Sequence, residues 1–385
     1  MIGWLAASGM APMATIKKNV FLTLIVLFLI GAIFSFADAA DAPDPTHYVI
    51  VGDSIHFHEY ATDNDATILD THPDLKTVEF GNGPWDGPDP RTVPIKITNV
   101  GFSHLDHCKN LEILRLDFMH PLQVTDDGLK SIEGLKRLRC ITLGMTHFTA
   151  AGLSHLAALP NVEELWLDSN PQYDDTAMEA IANFKNLRVL RFHTAPITDA
   201  GLAKIKGLSK LEDLQLGNSL VGDTGLQTIA GFAKLKTLDL QHSRVTDVGL
   251  EHLKQMTTLQ WLCLKGTAVT GKGLANLSDM AEMQWLYLED TQVDDAALDY
   301  LQKMSTLKSL YLSNTHITDA GVTKLTKFEK LEHVKLNGLP LTDDAINALL
   351  AMKSLKDVEM NNTKATPDGL ARLISGNVKL INRQP

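Results

Sequence analysis

Apolar residues recur with a period of 24 along residues 235–330. The stretch divides into four units, and each has apolar residues at positions 1, 4, 6, 11, 16, 19 and 22. The alternation at positions 4 and 6 predicts a short strand, and the steps of three from 16 to 22 predict a helix. One such strand and helix cannot bury their apolar faces alone, so the unit is predicted to be one coil of a stacked solenoid.

The same pattern extends along most of the chain, from about Ile95 onward. Successive position-1 residues are 24 apart from Leu187 to Leu355, and longer steps precede Leu138 and Leu187. The full series is Leu111, Leu138, Val162, Leu187, Leu211, Leu235, Leu259, Met283, Leu307, Leu331 and Leu355. A hydroxyl recurs at position 9, and we expect it to bond backbone groups of the turn: Thr146, Ser219, Ser243, Thr267, Thr291, Thr315 and Thr363.

The motif T-D-x-G-L, or a near relative, stands between strand and helix in most units. In the unit that begins at Leu235, Thr246 or Asp247 can cap the helix and place a carboxylate at its positive end.

The pattern L-x-x-L-x-L, a small hydroxyl residue and T-D-x-G-L-x-x-L resembles a leucine-rich repeat. The variant is similar to repeats of F-box-type substrate receptors and of secreted bacterial repeat proteins. The resemblance implies an α/β solenoid of about 11–12 repeats, with a curved parallel sheet on the concave side and short helices on the convex side. The repeat domain would span residues 95–377, followed by a tail of residues 378–385. A ubiquitin-ligase adaptor is disfavoured, since no helical F-box precedes the repeats.

Residues 1–39 have the layout of a secretory signal peptide. Lys17 and Lys18 precede an uncharged run over residues 20–36, and an A-x-A site at residues 37–39 predicts cleavage after Ala39. The alternative is an uncleaved membrane anchor, because the run is nearly long enough to span a bilayer. Both alternatives place the repeats outside the cytoplasm, in the periplasm, the medium or at the cell surface.

Residues 40–94 break the pattern, and we interpret them as an N-terminal cap followed by a Gly/Pro-rich loop. Trp85 stands in this loop, and burial against the cap is favoured over exposure. His56, His58 and Glu59 resemble a metal cluster but lack further ligands at a useful spacing. His104, His107 and Cys108 occupy helix positions of the repeat, so no metal site or cofactor is predicted.

The net charge is −11, and removal of residues 1–39 would make it −12 because they carry a net +1. That balance argues against nucleic acid or an anionic membrane as a partner; a membrane is involved only if the N-terminal segment stays uncleaved. Cys140 and Cys263 fall five repeats apart, about 25 Å, which is too far for a disulfide.

Residues 266–273, GTAVTGKG, differ by one residue from a phosphate-binding P-loop. Val269, Thr270 and Leu274 occupy ordinary positions of the repeat, so the register explains the match and nucleotide binding is rejected. No hydrolase, metalloprotease or paired-cysteine motif occurs in the sequence, and no enzyme is predicted.

Residues at positions 3, 5 and 7 flank the buried strand leucines and should face the concave side. Exposed aromatic and basic side chains there are typical of contact surfaces. The candidate partner-binding residues are Trp166, Arg191, Trp261, Trp285, Tyr287, Tyr311, His333 and Lys335. The alternative is that the aromatic residues stack only to stabilise the sheet.

The sequence thus predicts an exported, non-catalytic module that binds a protein or peptide through its concave sheet. A glycan is the second candidate ligand, and a structural or envelope-associated role is the alternative function.

Overall fold

A computed structural model describes residues 44–58, 60–81, 95–117, 123–144, 146–376 and 378–381. The predicted signal or anchor segment, Glu59 and Trp85 lie outside the described residues. Among the described helices, none combines the length and apolar character needed to cross a bilayer.

Short strands form one sheet in which every strand pairs with its neighbours in sequence. The strands are β1 Tyr48–Val51, β2 Ser54–Phe57, β3 Thr77–Gly81, β4 Ile113–Asp117, β5 Cys140–Thr142, β6 Glu164–Trp166, β7 Val189–Arg191, β8 Asp213–Gln215, β9 Thr237–Asp239, β10 Trp261–Cys263, β11 Trp285–Tyr287, β12 Ser309–Tyr311, β13 His333–Lys335, β14 Asp357–Glu359 and β15 Lys379–Leu380. β1 pairs with β2 antiparallel, and each later pair is parallel. The predicted α/β solenoid is confirmed.

A short helix follows most strands and packs against the helix of the next coil. The α-helices are α1 Asp63–Ala66, α2 Asn99–Ser103, α3 Ala150–Leu156, α4 Ala177–Ile181, α5 Asp199–Lys204, α6 Asp223–Ile229, α7 Asp247–Leu253, α8 Gly271–Leu274, α9 Ala297–Leu301, α10 Asp319–Leu325, α11 Asp343–Ala351 and α12 Pro367–Ser375. Within the described residues, four segments are 3₁₀ helices: Thr67–Thr71, His104–His107, Asp126–Ile132 and Ala275–Leu277.

The core is a continuous column of apolar side chains between the strands and the helices. Leu262 and Leu286, at position 4 of adjacent coils, are fully buried and lie side by side in register. Cys108, Cys140 and Cys263 are free and buried. The stability of the described coils therefore comes from stacked apolar burial rather than covalent links.

Each regular coil turns after its strand at position 8, where the backbone is left-handed. His242 has φ of 53° and Asn314 has φ of 57°. Gly266 occupies the equivalent place with φ of 66°, a conformation that suits glycine. Just beyond, the position-9 hydroxyls of Thr267 and Thr291 donate at 2.6 Å to the Leu264 and Leu288 carbonyl oxygens, which directly follow the strands, and this confirms the predicted role of that position.

The T-D-x-G motif links each coil to the next. Thr246 caps its own helix, since its side chain accepts from the Val248 amide. The Asp223 carboxylate of the preceding coil accepts from the Thr246 backbone amide at 2.8 Å and from its hydroxyl at 2.7 Å. A Cβ on Gly249 would meet an oxygen of Asp223 at 2.5 Å, so the glycine makes room for this carboxylate. The aspartate of the motif thus serves the following coil as well as its own helix end.

The sheet continues into the region interpreted as an N-terminal cap. β2 and β3 run parallel to β4, and Leu75, Val78 and Phe80 are buried as their L-x-x-L-x-L spacing implies. The Phe57 and Phe80 rings stack at 4.8 Å. The 24-residue regularity therefore begins later in the chain than the parallel sheet does.

Candidate functional site

The candidate site lies on the outward face of the sheet, here called the sheet face, which carries positions 3, 5 and 7 of the strands. Because strand residues alternate, the leucine at position 4 is buried while its neighbours at 3 and 5 project from the core. The parallel register places equal positions side by side, so Trp261 lies opposite Trp285 and Tyr287 opposite Tyr311.

Four of the candidate residues form the aromatic patch, defined as Trp261, Trp285, Tyr287 and Tyr311. The Trp261 and Tyr287 rings lie 5.0 Å apart at an angle of 46°. Tyr287 and Tyr311 meet edge to face at 4.5 Å. These separations are those of favourable aromatic pairs. Three adjacent strands thus present one continuous ring surface.

Lysines from the neighbouring coils lie over the rings of the aromatic patch. The Lys335 ammonium is 4.3 Å from the centre of the Tyr311 ring and 3.6 Å from the Glu359 carboxylate. The Lys308 ammonium lies 5.7 Å from the centre of the Trp285 ring. These cations stabilise the rings electrostatically and orient them.

The four rings are half-buried, so each keeps part of its surface accessible to solvent. Trp261, Tyr287 and Tyr311 are covered in part by one another, and Lys308 lies over the Trp285 ring. Burial raises the pKa of the Tyr287 and Tyr311 hydroxyls, so both stay protonated at neutral pH and can donate hydrogen bonds.

Glu289, at position 7 beside the aromatic patch, was missed by the sequence analysis. Its side chain is buried, and one carboxylate oxygen has no hydrogen-bond partner. Burial raises its pKa, against the opposing effect of Lys265 and Lys335. An acid on this face could be found only by reading position 7 across successive coils.

The two basic candidates near the C-terminal end are held by acids of the next strand. His333 Nδ1 lies 2.7 Å from the Asp357 carboxylate, and Lys335 pairs with Glu359. Both are half-buried. Lys335 borders the aromatic patch beside Tyr311, whereas Ser309 separates His333 from Trp285 in the position-3 row.

Trp166 and Arg191 form a separate pair nearer the N-terminus. The Arg191 guanidinium lies 4.1 Å from the centre of the Trp166 ring and 3.5 Å from the Asp213 carboxylate. The Trp166 ring nitrogen and the Arg191 Nε are buried without partners. Three strands separate β7 from β11, so this pair and the rings on β11 lie in different parts of the sheet face.

A charged cluster, defined as Asp168, Arg191, His193, Asp213 and Asp239, covers β6 to β9. The His193 ring bonds Asp168 at 2.8 Å through Nδ1 and Asp239 at 3.0 Å through Nε2. Burial opposes the charge on His193, but the bonds and charges of the two carboxylates outweigh it and raise its pKa to about 9. His193 is therefore an imidazolium at neutral pH. Sequence reasoning missed this cluster.

The remaining motifs have structural roles. In the P-loop-like stretch, Thr270 caps α8 and its hydroxyl donates to Asp247 at 2.6 Å. His56 bonds Glu79 at 3.1 Å and the Gly81 carbonyl oxygen at 2.5 Å.

Comparisons with known proteins agree with this architecture. A family model described as a leucine-rich repeat matches residues 233–254 and 303–325. No curated protein matches the sequence.

Solved structures share the fold at low sequence identity. An internalin from Listeria monocytogenes is 19% identical, with a TM-score of 0.64, over 86% of this chain and 87% of that one. A leucine-rich-repeat protein of Leptospira interrogans is 15% identical, with a TM-score of 0.50, over 82% and 86%. With the repeat register and the parallel sheet, these matches show that the chain has the leucine-rich-repeat fold.

Proposed function

We propose that the chain is an exported, non-catalytic binding module that recognises a protein or peptide through the aromatic patch of its concave sheet. The leucine-rich-repeat fold supports a protein-interaction role in general. The observation that carries the finer proposal is the continuous surface of Trp261, Tyr287 and Tyr311.

The identity of these residues is not dictated by the fold. Equivalent positions in other coils hold Thr237 and Gln215, which leave the leucine core equally well packed. Aromatic side chains give large contact areas at a low cost in side-chain entropy and are frequent at binding hot spots. Half-buried rings held by neighbours are also pre-organised, which lowers the cost of ordering them on binding.

The binding experiment uses the purified full chain as bait against proteins of the source cells and their surroundings. Each captured protein is re-made and its affinity measured with the wild type and with Trp285→Ala. The proposal expects a loss of about 2 kcal/mol or more, roughly 30-fold, with little change in unfolding free energy. Tyr300→Ala is the matched control, because Tyr300 is an exposed aromatic residue on α9 rather than on the sheet.

Three outcomes oppose the proposal. If Trp285→Ala lowers the unfolding free energy but leaves partner affinity unchanged, the rings only stabilise the sheet. Capture that disappears after enzymatic removal of glycans would identify a glycan ligand. Concentration-dependent self-assembly without any captured partner, measured by sedimentation, would favour a structural role.

Export is tested separately by mass spectrometry of the N-terminus. The proposal expects a mature chain that begins after Ala39, outside the cytoplasm. An intact N-terminal segment in the membrane fraction would identify an anchored form, and an intact chain in the cytoplasm would contradict export.

A further inference from the structure

Two histidines and an aspartate meet at the N-terminal end of the helix side, away from the sheet face. Asp70 belongs to the 3₁₀ helix Thr67–Thr71, and His104 and His107 are the first and last residues of the 3₁₀ helix His104–His107. A 3₁₀ helix has three residues per turn, so side chains three apart eclipse each other. That geometry aligns both imidazoles on one side, facing the preceding coil.

The three side chains converge on one carboxylate oxygen. Asp70 Oδ1 lies 2.7 Å from His104 Nδ1 and 3.0 Å from His107 Nδ1. The three donor atoms all lie within 4.8 Å of one another. Zinc bound at about 2.0–2.1 Å in tetrahedral geometry separates its ligand atoms by roughly 3.3 Å. The largest separation, at most 4.8 Å, would have to close by no more than about 1.5 Å to fit a zinc coordination shell.

The composition of this cluster differs from that of the ion pairs that join other coils. Acids of one coil pair with single bases of the next at Glu133–His155, 2.5 Å, and Glu179–Lys204, 2.7 Å. Glu212 meets two bases, Arg188 and Lys236. Asp70 differs because both of its bases are imidazoles, which present the same ring nitrogen to the same oxygen. Among the described residues, no other group of three His, Cys, Asp or Glu side chains meets this ligand spacing.

We propose that Asp70, His104 and His107 bind a zinc ion that joins the two 3₁₀ helices, with water as the fourth ligand. Two imidazoles and a carboxylate are a ligand set that zinc accepts, with one coordination position left open. The side chains of Asp70 and His107 are 38% and 59% exposed, so an ion and a water molecule can reach them from solvent.

Neighbouring groups are compatible with this ligand set. Cys108 is fully buried, and its thiol donates to the carbonyl oxygen of His72 at 4.0 Å rather than joining the exposed cluster. Asp106 is paired with Lys109. Zinc binds the unprotonated ring nitrogen of an imidazole, so it competes with protons and its affinity falls as the pH falls.

The test is calorimetric titration of zinc into the full chain after removal of metal by a chelator. The proposal expects one saturable site and a rise of a few degrees in melting temperature, reversed by chelator. Single replacements His107→Ala and Asp70→Ala should weaken binding at least about 10-fold, as expected when a ligand is lost. Cobalt bound in place of zinc should show the visible absorption of a tetrahedral site, and His107→Ala should lose it.

His155→Ala is the matched control, because it removes a histidine from a two-group pair on a later coil and should leave zinc affinity unchanged. His107 is mostly exposed, so its replacement should leave the fold intact, which circular dichroism checks. Binding weaker than millimolar in the wild type, or equal affinity in the wild type and His107→Ala, would overturn the proposal.

Discussion

The charged cluster and the aromatic patch occupy equivalent positions on the same sheet and rest on the same leucine core, yet they differ in how their groups are satisfied. In the charged cluster, His193 lies between two carboxylates and Arg191 approaches a third. In the aromatic patch, rings pack on rings, lysines lie over ring faces and Glu289 keeps an oxygen without a partner.

The variable positions of one scaffold can thus serve either internal stabilisation or contact with a ligand. Apart from Arg191 Nε, the ionised groups of the charged cluster meet partners within the protein, so they contribute to stability and leave little for a ligand. The rings of the aromatic patch pack partly on one another and remain partly exposed to solvent. Replacements in the two regions should therefore separate stability from binding.

The largest effect should come from the core that both regions share. Leu286→Ala lies beneath the aromatic patch and Leu190→Ala beneath the charged cluster, and both residues are fully buried. Each replacement should cost about 2–5 kcal/mol of unfolding free energy in chemical denaturation. Strongly unequal costs would show that the two regions do not rest on an equivalent core.

His193→Gln should separate the regions by pH. The pKa of His193 is about 9 in the folded chain against 6.5 for an ordinary histidine. Its stabilisation is therefore fully present below about pH 6.5 and is lost as the pH rises through about 9. The pKa difference corresponds to about 3 kcal/mol, and on the order of 2 kcal/mol remains after solvent screening.

Unfolding free energies of the wild type and His193→Gln, measured between pH 6 and 10, check this expectation. The two curves should converge toward high pH. A difference in unfolding free energy that stays constant across that range would contradict the assigned protonation. Tyr287→Ala is the control, because its difference from the wild type should not follow the same dependence on pH.

Tyr287→Ala should weaken partner binding, whereas His193→Gln should not. Tyr287 contacts both Trp261 and Tyr311, so its loss interrupts the ring surface. Affinity for a partner identified in the capture experiment should fall by about 2 kcal/mol, while His193→Gln at pH 7 should leave it nearly unchanged. Equal losses of affinity in the two variants would remove the distinction between the regions.

The smallest effect is expected at Lys272, in the P-loop-like stretch. Lys272→Ala should change stability by less than about 0.5 kcal/mol, as for other surface positions. ATP should not raise the melting temperature of either form. A thermal shift with ATP that disappears in Lys272→Ala would overturn the structural interpretation of this stretch.

The repeat pattern predicted most of the fold, because the same positions are buried in every coil. An ambiguous strand or helix in one coil can therefore be assigned from the coils beside it. Leu262 and Leu286 could be placed in the core from period alone. The role of Asp247 was only half visible, since its carboxylate accepts from Thr270 in the following coil. A pattern within one coil does not reveal a bond between two.

Sites built from several coils were the hardest to predict. The aromatic patch was found because its members are the same residue types at neighbouring positions. The charged cluster joins Asp168, His193 and Asp239, which lie 25 and 46 residues apart. Asp70 and His104 are separated by 34 residues in a region without a regular period. Residues of different coils can be placed next to one another only when the register of every coil is known.

The carboxylate of the T-D-x-G motif gives the solenoid a direction. Each such aspartate serves the threonine of the coil that follows, as Asp319 serves Thr342 and Asp343 serves Thr366. A cut between two coils exposes the same kind of apolar face on either fragment. The fragment after the cut also loses the carboxylate that fixes the capping threonine of its first helix, whereas the fragment before it is left only with a carboxylate in water. Shortening the chain from its C-terminal end should therefore be tolerated better than shortening it by the same number of coils from the other end.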